Sequence, residues 1–105
     1  MFSGQRQHAR QTGPFEGAWT GSPGDDTCRI TALSPGGCFV DSPVAPEPGA
    51  SVTVSVVFGG TRFSLPADVV YRDRVRGFGV RFQPSNQARA LAYAMGIGEP
   101  GRPID

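Results

Sequence analysis

Lysine is absent from this 105-residue chain, histidine occurs once and cysteine twice. No apolar run approaches the roughly 18 residues that a membrane-spanning helix requires. Each shortage removes a class of function. Two cysteines and one histidine fall short of the three or four ligands of a metal framework. With no Ser/His/Asp or Cys/His arrangement at useful spacing, nothing supplies general-base chemistry, and the chain reads as a non-enzyme with no catalytic residue. His8 reads as an exposed spacer rather than a base. The formal net charge of +1 supplies no global field toward DNA or an anionic membrane, so any anion site must be local. All ten basic residues are arginine. A GC-rich genome explains that as readily as phosphate recognition does, and the count alone decides nothing. Residues 1–10 contain no apolar core of the kind a signal peptide needs. If residues 34–37 turn the chain between paired strands, Cys28 and Cys38 are too far apart in register for disulfide geometry. The expectation is a reduced, cytoplasmic protein.

Glycine (15) and proline (10) are abundant, and both interrupt helices and serve turns. Hydrophobic residues at 38% are enough for one modest core in a chain too short for two domains. Short alternating runs follow one another. Phe15 and Trp19 share a face in residues 14–21. In residues 27–33, Cys28, Ile30 and Ala32 alternate against Thr27, Arg29, Thr31 and Leu33. A short return strand begins at Cys38, and the proline-rich residues 42–50 form a loop. In residues 51–58, Val52, Val54, Val56 and Phe58 show the period of two of a half-buried strand. Phe63, Leu65, Ala67, Val69 and Tyr71 share a face in the next run, where Pro66 argues for an edge or a bulge. Residues 72–74 mark a turn before residues 75–82, with Phe78, Val80 and Phe82 on one face. Ser85 then reads as the N-cap of a short helix through residue 95, with Ala88, Leu91, Ala92 and Met95 at helical spacing. The expectation is all-β: a small six-stranded antiparallel barrel, whose closure removes exposed sheet edges, with one C-terminal α-helix over an opening or an edge. Residues 1–12 are expected as a flexible polar arm, 13–96 as the barrel and helix, and 97–105 as a frayed tail.

Two local features remain. Arg6 and Arg10 stand four apart in the arm. About twenty residues downstream comes Ser34-Pro35-Gly36-Gly37, a turn richer in serine and glycine than chain reversal alone demands. An RxxxR arm followed at that distance by a [DN]xSxxG turn resembles the PilZ domain, the bacterial receptor module for cyclic di-GMP. The resemblance runs over nearly the whole chain, through "GGCFV" after the turn, "GFGVRF" as a last barrel strand and the C-terminal helix.

The resemblance implies cyclic di-GMP as ligand with no other cofactor, and an unidentified protein partner downstream, while the composition argues against a metal, DNA and membrane insertion. It implies Arg6, Arg10, Ser34, Gly36 and Gly37 as ligand-binding residues. The chemistry is consistent: guanidinium groups fork onto phosphate and stack on bases while staying charged. The Ser34 hydroxyl can donate and accept. At Gly37 the missing side chain permits close backbone approach or an unusual φ. One position departs. Ala32 stands where the pattern has Asp or Asn, and a methyl group cannot accept from guanine. The lost bond is worth roughly 1.5–3 kcal/mol, or about tenfold to a hundredfold in affinity. Asp25, Asp26 and Thr31 are the neighbouring groups able to accept instead. The competing expectation is a divergent adaptor that binds a protein and little or no nucleotide. A single-stranded nucleic-acid binder on a barrel fits less well, because the near-neutral charge gives no broad backbone track.

Overall fold

A computed structural model of the chain describes residues 13–21, 25–73 and 75–96, with residues 25–27 described by their backbone alone. The arm with Arg6 and Arg10, and the tail from residue 97, lie outside the described residues. Six strands and one helix follow in order: β1 (Phe15–Gly21), β2 (Asp25–Ser34), β3 (Gly37–Asp41), β4 (Ser51–Phe58), β5 (Thr61–Asp73), β6 (Gly77–Phe82) and α1 (Asn86–Ala94). All pairings are antiparallel, and the strands close in the order β1-β2-β3-β6-β5-β4. Closure comes from β1, which pairs with β2 through Phe15↔Ile30 and with β4 through Trp19↔Val54. The expected all-β barrel with a C-terminal helix is the observed fold.

Closure turns the alternation of each strand into an inside and an outside. Val52, Val54 and Val56 from β4, Phe63, Leu65, Ala67 and Val69 from β5, and Phe78, Val80 and Phe82 from β6 all point inward and are buried. Trp19 fills the middle, meeting Phe78 edge to face at 5.2 Å between centroids. Its indole N–H donates to the Oγ of Ser42 at 3.3 Å, and Ser42, itself buried, donates to the Val44 carbonyl at 2.8 Å. The largest side chain in the core thus has its one polar atom satisfied.

In α1 the Ser85 hydroxyl accepts from the Ala88 N–H at 3.0 Å, which is the expected N-cap. The helix lies against β5 and adds Leu91 to the core, while the side-chain Oε1 of Gln87 accepts from the Ser64 N–H at 3.0 Å. The β5–β6 turn is held by Asp73, whose carboxylate accepts from the N–H groups of Val75 and Arg76. Strand β6 accordingly starts at Gly77, two residues later than the periodicity suggests.

Three expectations need correction, two of them for one reason. Leu33 is fully buried although its parity puts it outside, and Tyr71 is 53% exposed although its parity puts it inside. The β2–β3 register shifts between Thr31 and Ser34, and the β5–β6 register shifts between Val69 and Tyr71. An extra residue in one strand reverses every side chain beyond it. The third concerns Pro66, which sits in neither an edge strand nor a bulge. It pairs with Thr53, and its carbonyl accepts from the Gln83 N–H at 2.8 Å just past the end of β6. Its missing N–H therefore falls where the β6 ladder has stopped.

Replacing Ser42 by alanine removes the Trp19 acceptor inside the core. We expect a loss of about 1–3 kcal/mol in unfolding free energy by urea titration, against under about 0.5 kcal/mol for Ser51→Ala, whose hydroxyl is exposed.

Candidate ligand site

The Ser34–Gly37 stretch is a two-residue hairpin turn in which Ser34 pairs with Gly37 across Pro35-Gly36. Proline holds φ negative, so the turn is not of the kind with positive φ at both central residues. The left-handed residue is upstream. Ala32 has φ of +51°, and it is the one non-glycine in that region among the described residues. This conformation makes the β2 bulge: it turns Leu33 into the core and leaves Ala32 beside the turn.

The Ser34 hydroxyl donates to the Gly37 carbonyl at 3.3 Å and accepts from the Gly36 N–H at 3.3 Å. Its proton is thus engaged in the turn, and what it retains toward solvent is acceptor capacity. Gly36 has open space around its α-carbon and no left-handed φ, while its carbonyl accepts from the Phe82 N–H at 2.9 Å. Gly37 is different. A β-carbon there would run into the Val80 carbonyl oxygen of β6. The close approach that this glycine permits is between β3 and β6, with no unusual φ.

These residues line one groove of about 360 Å³ on the outer surface of the barrel. Ala32, Ser34, Gly36 and Gly37 form one side; Tyr71, Gly79 and Arg81 continue it across β5 and β6. Among the described residues no carboxylate lines it, and Arg81 is its one charged side chain. The described lining therefore offers a small anionic ligand one positive charge and no negative one. A larger depression of about 490 Å³ lies elsewhere, lined by Glu16, Arg29, Asp41 and Arg62. The charges of these four residues balance, with Arg62 3.8 Å from Glu16, and Ala32, Ser34, Gly36 and Gly37 are not among its lining.

Gly13, the first described residue, lies against the Ile30 carbonyl just before Phe15 pairs with Ile30. Strand β1 thus begins beside the end of β2 where Ala32 stands. Asp25 and Asp26 open β2 at its other end, opposite Thr20 and Trp19, so neither is a neighbour of Ala32. Thr31 pairs with Phe39 and does not line the groove.

Sequence reasoning missed Tyr71, Gly79 and Arg81. Phe39 is buried on the outer face of β3, under Tyr71 at 6.1 Å between centroids and Arg76 at 5.1 Å. Neither cysteine is in a disulfide. Burial, with Cys28 nearby adding to it, pushes the Cys38 thiol up, so it stays protonated and unreactive below the groove. Among the described residues no cluster of His, Cys, Asp or Glu can hold a metal ion, and no helix is long and apolar enough to cross a membrane.

Comparison with known proteins agrees with this geometry. The family model of the PilZ domain matches residues 4–94. The crystal structure of the PilZ domain of CeSA from a cellulose-synthesizing bacterium superposes with a TM-score of 0.64 at 19% identity, covering 83% of this chain and 97% of that one. The Bacillus subtilis inhibitor of motility (MotI/DgrA) gives a TM-score of 0.65 at 14% identity, covering 88% of this chain and 49% of that one. The chain thus spans about half the length of that protein. No curated protein matches at a significant level.

Two stability measurements separate backbone demands from ligand contacts. Gly37→Ala should lose about 1–3 kcal/mol as β3 and β6 are forced apart, while Gly36→Ala should change stability by less than about 0.5 kcal/mol. Ala32→Asn should gain up to about 1 kcal/mol, since Asn tolerates the left-handed region that alanine resists.

Proposed function

The chain belongs to the PilZ domain family, and from that premise we propose that it is a cytoplasmic cyclic di-GMP receptor whose ligand lies in the groove beside the β2–β3 turn. The observation that supports this reading best is that the motif turn lines a groove close to where β1, and with it the sequence following Arg10, begins. Among the described residues no carboxylate lines that groove, and β1 pairs with β2 from Phe15↔Ile30, two residues before Ala32. Arg10 is three residues from Gly13, within about 10 Å of extended chain plus its own side chain; Arg6 is within about 25 Å. Both arginines are thereby tethered within reach of a nucleotide in the groove.

In this reading Arg6 and Arg10 supply bidentate contacts to phosphate and stacking on guanine. The Ser34 hydroxyl accepts from the ligand with the capacity its turn leaves over, and Gly36 keeps the groove floor open. Gly37 contributes indirectly, by letting β3 lie close to β6 so that the turn is held against Arg81. Ligand binding orders the arm across the groove and changes the surface offered to a protein partner, a disorder-to-order step that lowers affinity per contact but couples ligand to output. No catalytic role is assigned to any residue.

One observation favours a second reading, in which the chain is an adaptor that has lost most of its affinity for the nucleotide. Ala32 brings neither an acceptor for guanine nor a side chain suited to its own φ. The Asp or Asn of the motif satisfies both requirements at once.

Isothermal titration of the full chain with cyclic di-GMP distinguishes the two. We expect micromolar or tighter binding that weakens as salt rises, is lost when Arg6 and Arg10 are both changed to alanine, and tightens by about tenfold or more in Ala32→Asp. No binding by the wild type, with binding restored by Ala32→Asp, would establish the adaptor reading.

A further inference from the structure

We propose that the exposed ring of Tyr71 is a stacking platform for one purine base of the bound nucleotide, with Arg81 beside it as a cation directed at phosphate. This rests on the nucleotide reading above but involves strands β5 and β6, which contain neither sequence motif.

The ring is held from below and from the side. Tyr71 pairs with Gly79, and a β-carbon on Gly79 would collide with three of its ring carbons. One face of the phenol therefore lies on bare β6 backbone. Phe39, paired with Gly79 from the other side, meets the ring at 6.1 Å and 34°. Phe39 is itself capped by the Arg76 guanidinium and is only 8% exposed, so it serves as support rather than as platform. Tyr71 remains 53% exposed. A supported ring with one open face offers a base a flat apolar surface at little entropic cost, because few rotamers remain to be frozen.

Arg81 points the same way from β6, two residues beyond Gly79 and between Gly37 and Asp68. It has no ion pair or hydrogen bond among the described residues. The groove between this arginine, the tyrosine and the Ser34–Gly37 turn has about 360 Å³, within the range of small-molecule sites. A docked protein fits the surface less well. The exposed large apolar residues at the groove are Val70 and Tyr71, far short of the roughly 800 Å² per partner of a stable interface.

Tyrosine occurs twice, and Tyr93 lies on the exposed side of α1, so it is an internal control. The full chain, labelled with ¹³C in its tyrosine rings, is titrated with cyclic di-GMP and separately with 5′-GMP at millimolar concentration. Affinity for cyclic di-GMP is measured in parallel for Tyr71→Phe, Tyr71→Leu and Arg81→Ala, each checked by thermal melting. Tyr71→Leu keeps an apolar cover over Gly79 but removes the π-face. We expect ring-current shifts at Tyr71 and none at Tyr93, affinity within about twofold in Tyr71→Phe, and a loss of about fivefold to a hundredfold in Tyr71→Leu. Arg81→Ala should weaken binding and flatten its salt dependence. If cyclic di-GMP binds while the Tyr71 signals stay put and Tyr71→Leu binds normally, the platform is wrong and the receptor reading stands. If 5′-GMP shifts Tyr71 but cyclic di-GMP does not bind, the platform holds and the receptor reading fails. Silence toward both nucleotides overturns both.

Discussion

Barrel closure by β1, which pairs with β2 on one side and β4 on the other, is the constraint on which the other features depend. Once the ring of strands is closed, no strand can slip without breaking a ladder on each side. The parity of every residue, inward or outward, then becomes a fixed property. The core follows directly, because the inward residues of β4, β5 and β6 meet around Trp19 and Phe78. The outer surface follows as well, including the places where parity is deliberately reversed.

Those reversals make the groove. The bulge at Ala32 moves Leu33 into the core and leaves a small residue facing the turn, and the bulge at Val70 moves Tyr71 out of the core and onto Gly79. Each adds one residue to one strand, yet together they exchange a leucine for an alanine on one wall and create an aromatic on the other. Glycine at positions 37 and 79 lets the backbone of β6 stay in contact with a neighbouring strand at one point and a neighbouring ring at the other. The surface is therefore shaped as much by missing side chains as by present ones.

The motif residues divide their work in a way that their names alone do not convey. Ser34 holds the turn with its own hydroxyl, and Gly37 satisfies strand packing, so both are required by the fold before any ligand arrives. Ala32 carries the left-handed φ that the bulge needs, a conformation for which Asp and Asn are better suited. A residue type attributed to ligand contact thus has an independent backbone reason to be there, and the two contributions are separable.

Much of the fold was legible from residues 51–95. The strict valine alternation of β4 names an inward face, and Ser85 before a run of helix formers names a capped helix, because both signals are local. The Ser34–Gly37 turn and the family resemblance were legible for the same reason, as short patterns with fixed spacing. Leu33 and Tyr71 were not. Alternation carries parity forward until something interrupts it, and neither bulge is marked by a glycine or proline at its own position; Pro66, the residue that looked like an interruption, lies within the β5 run. By itself the sequence determined that the chain forms short strands, where they turn, and which turn matches the family's motif. Tertiary structure alone decided which residues share a groove with that turn, because parity across a bulge is set by the hydrogen-bond register of the neighbouring strand, which no local stretch of sequence contains.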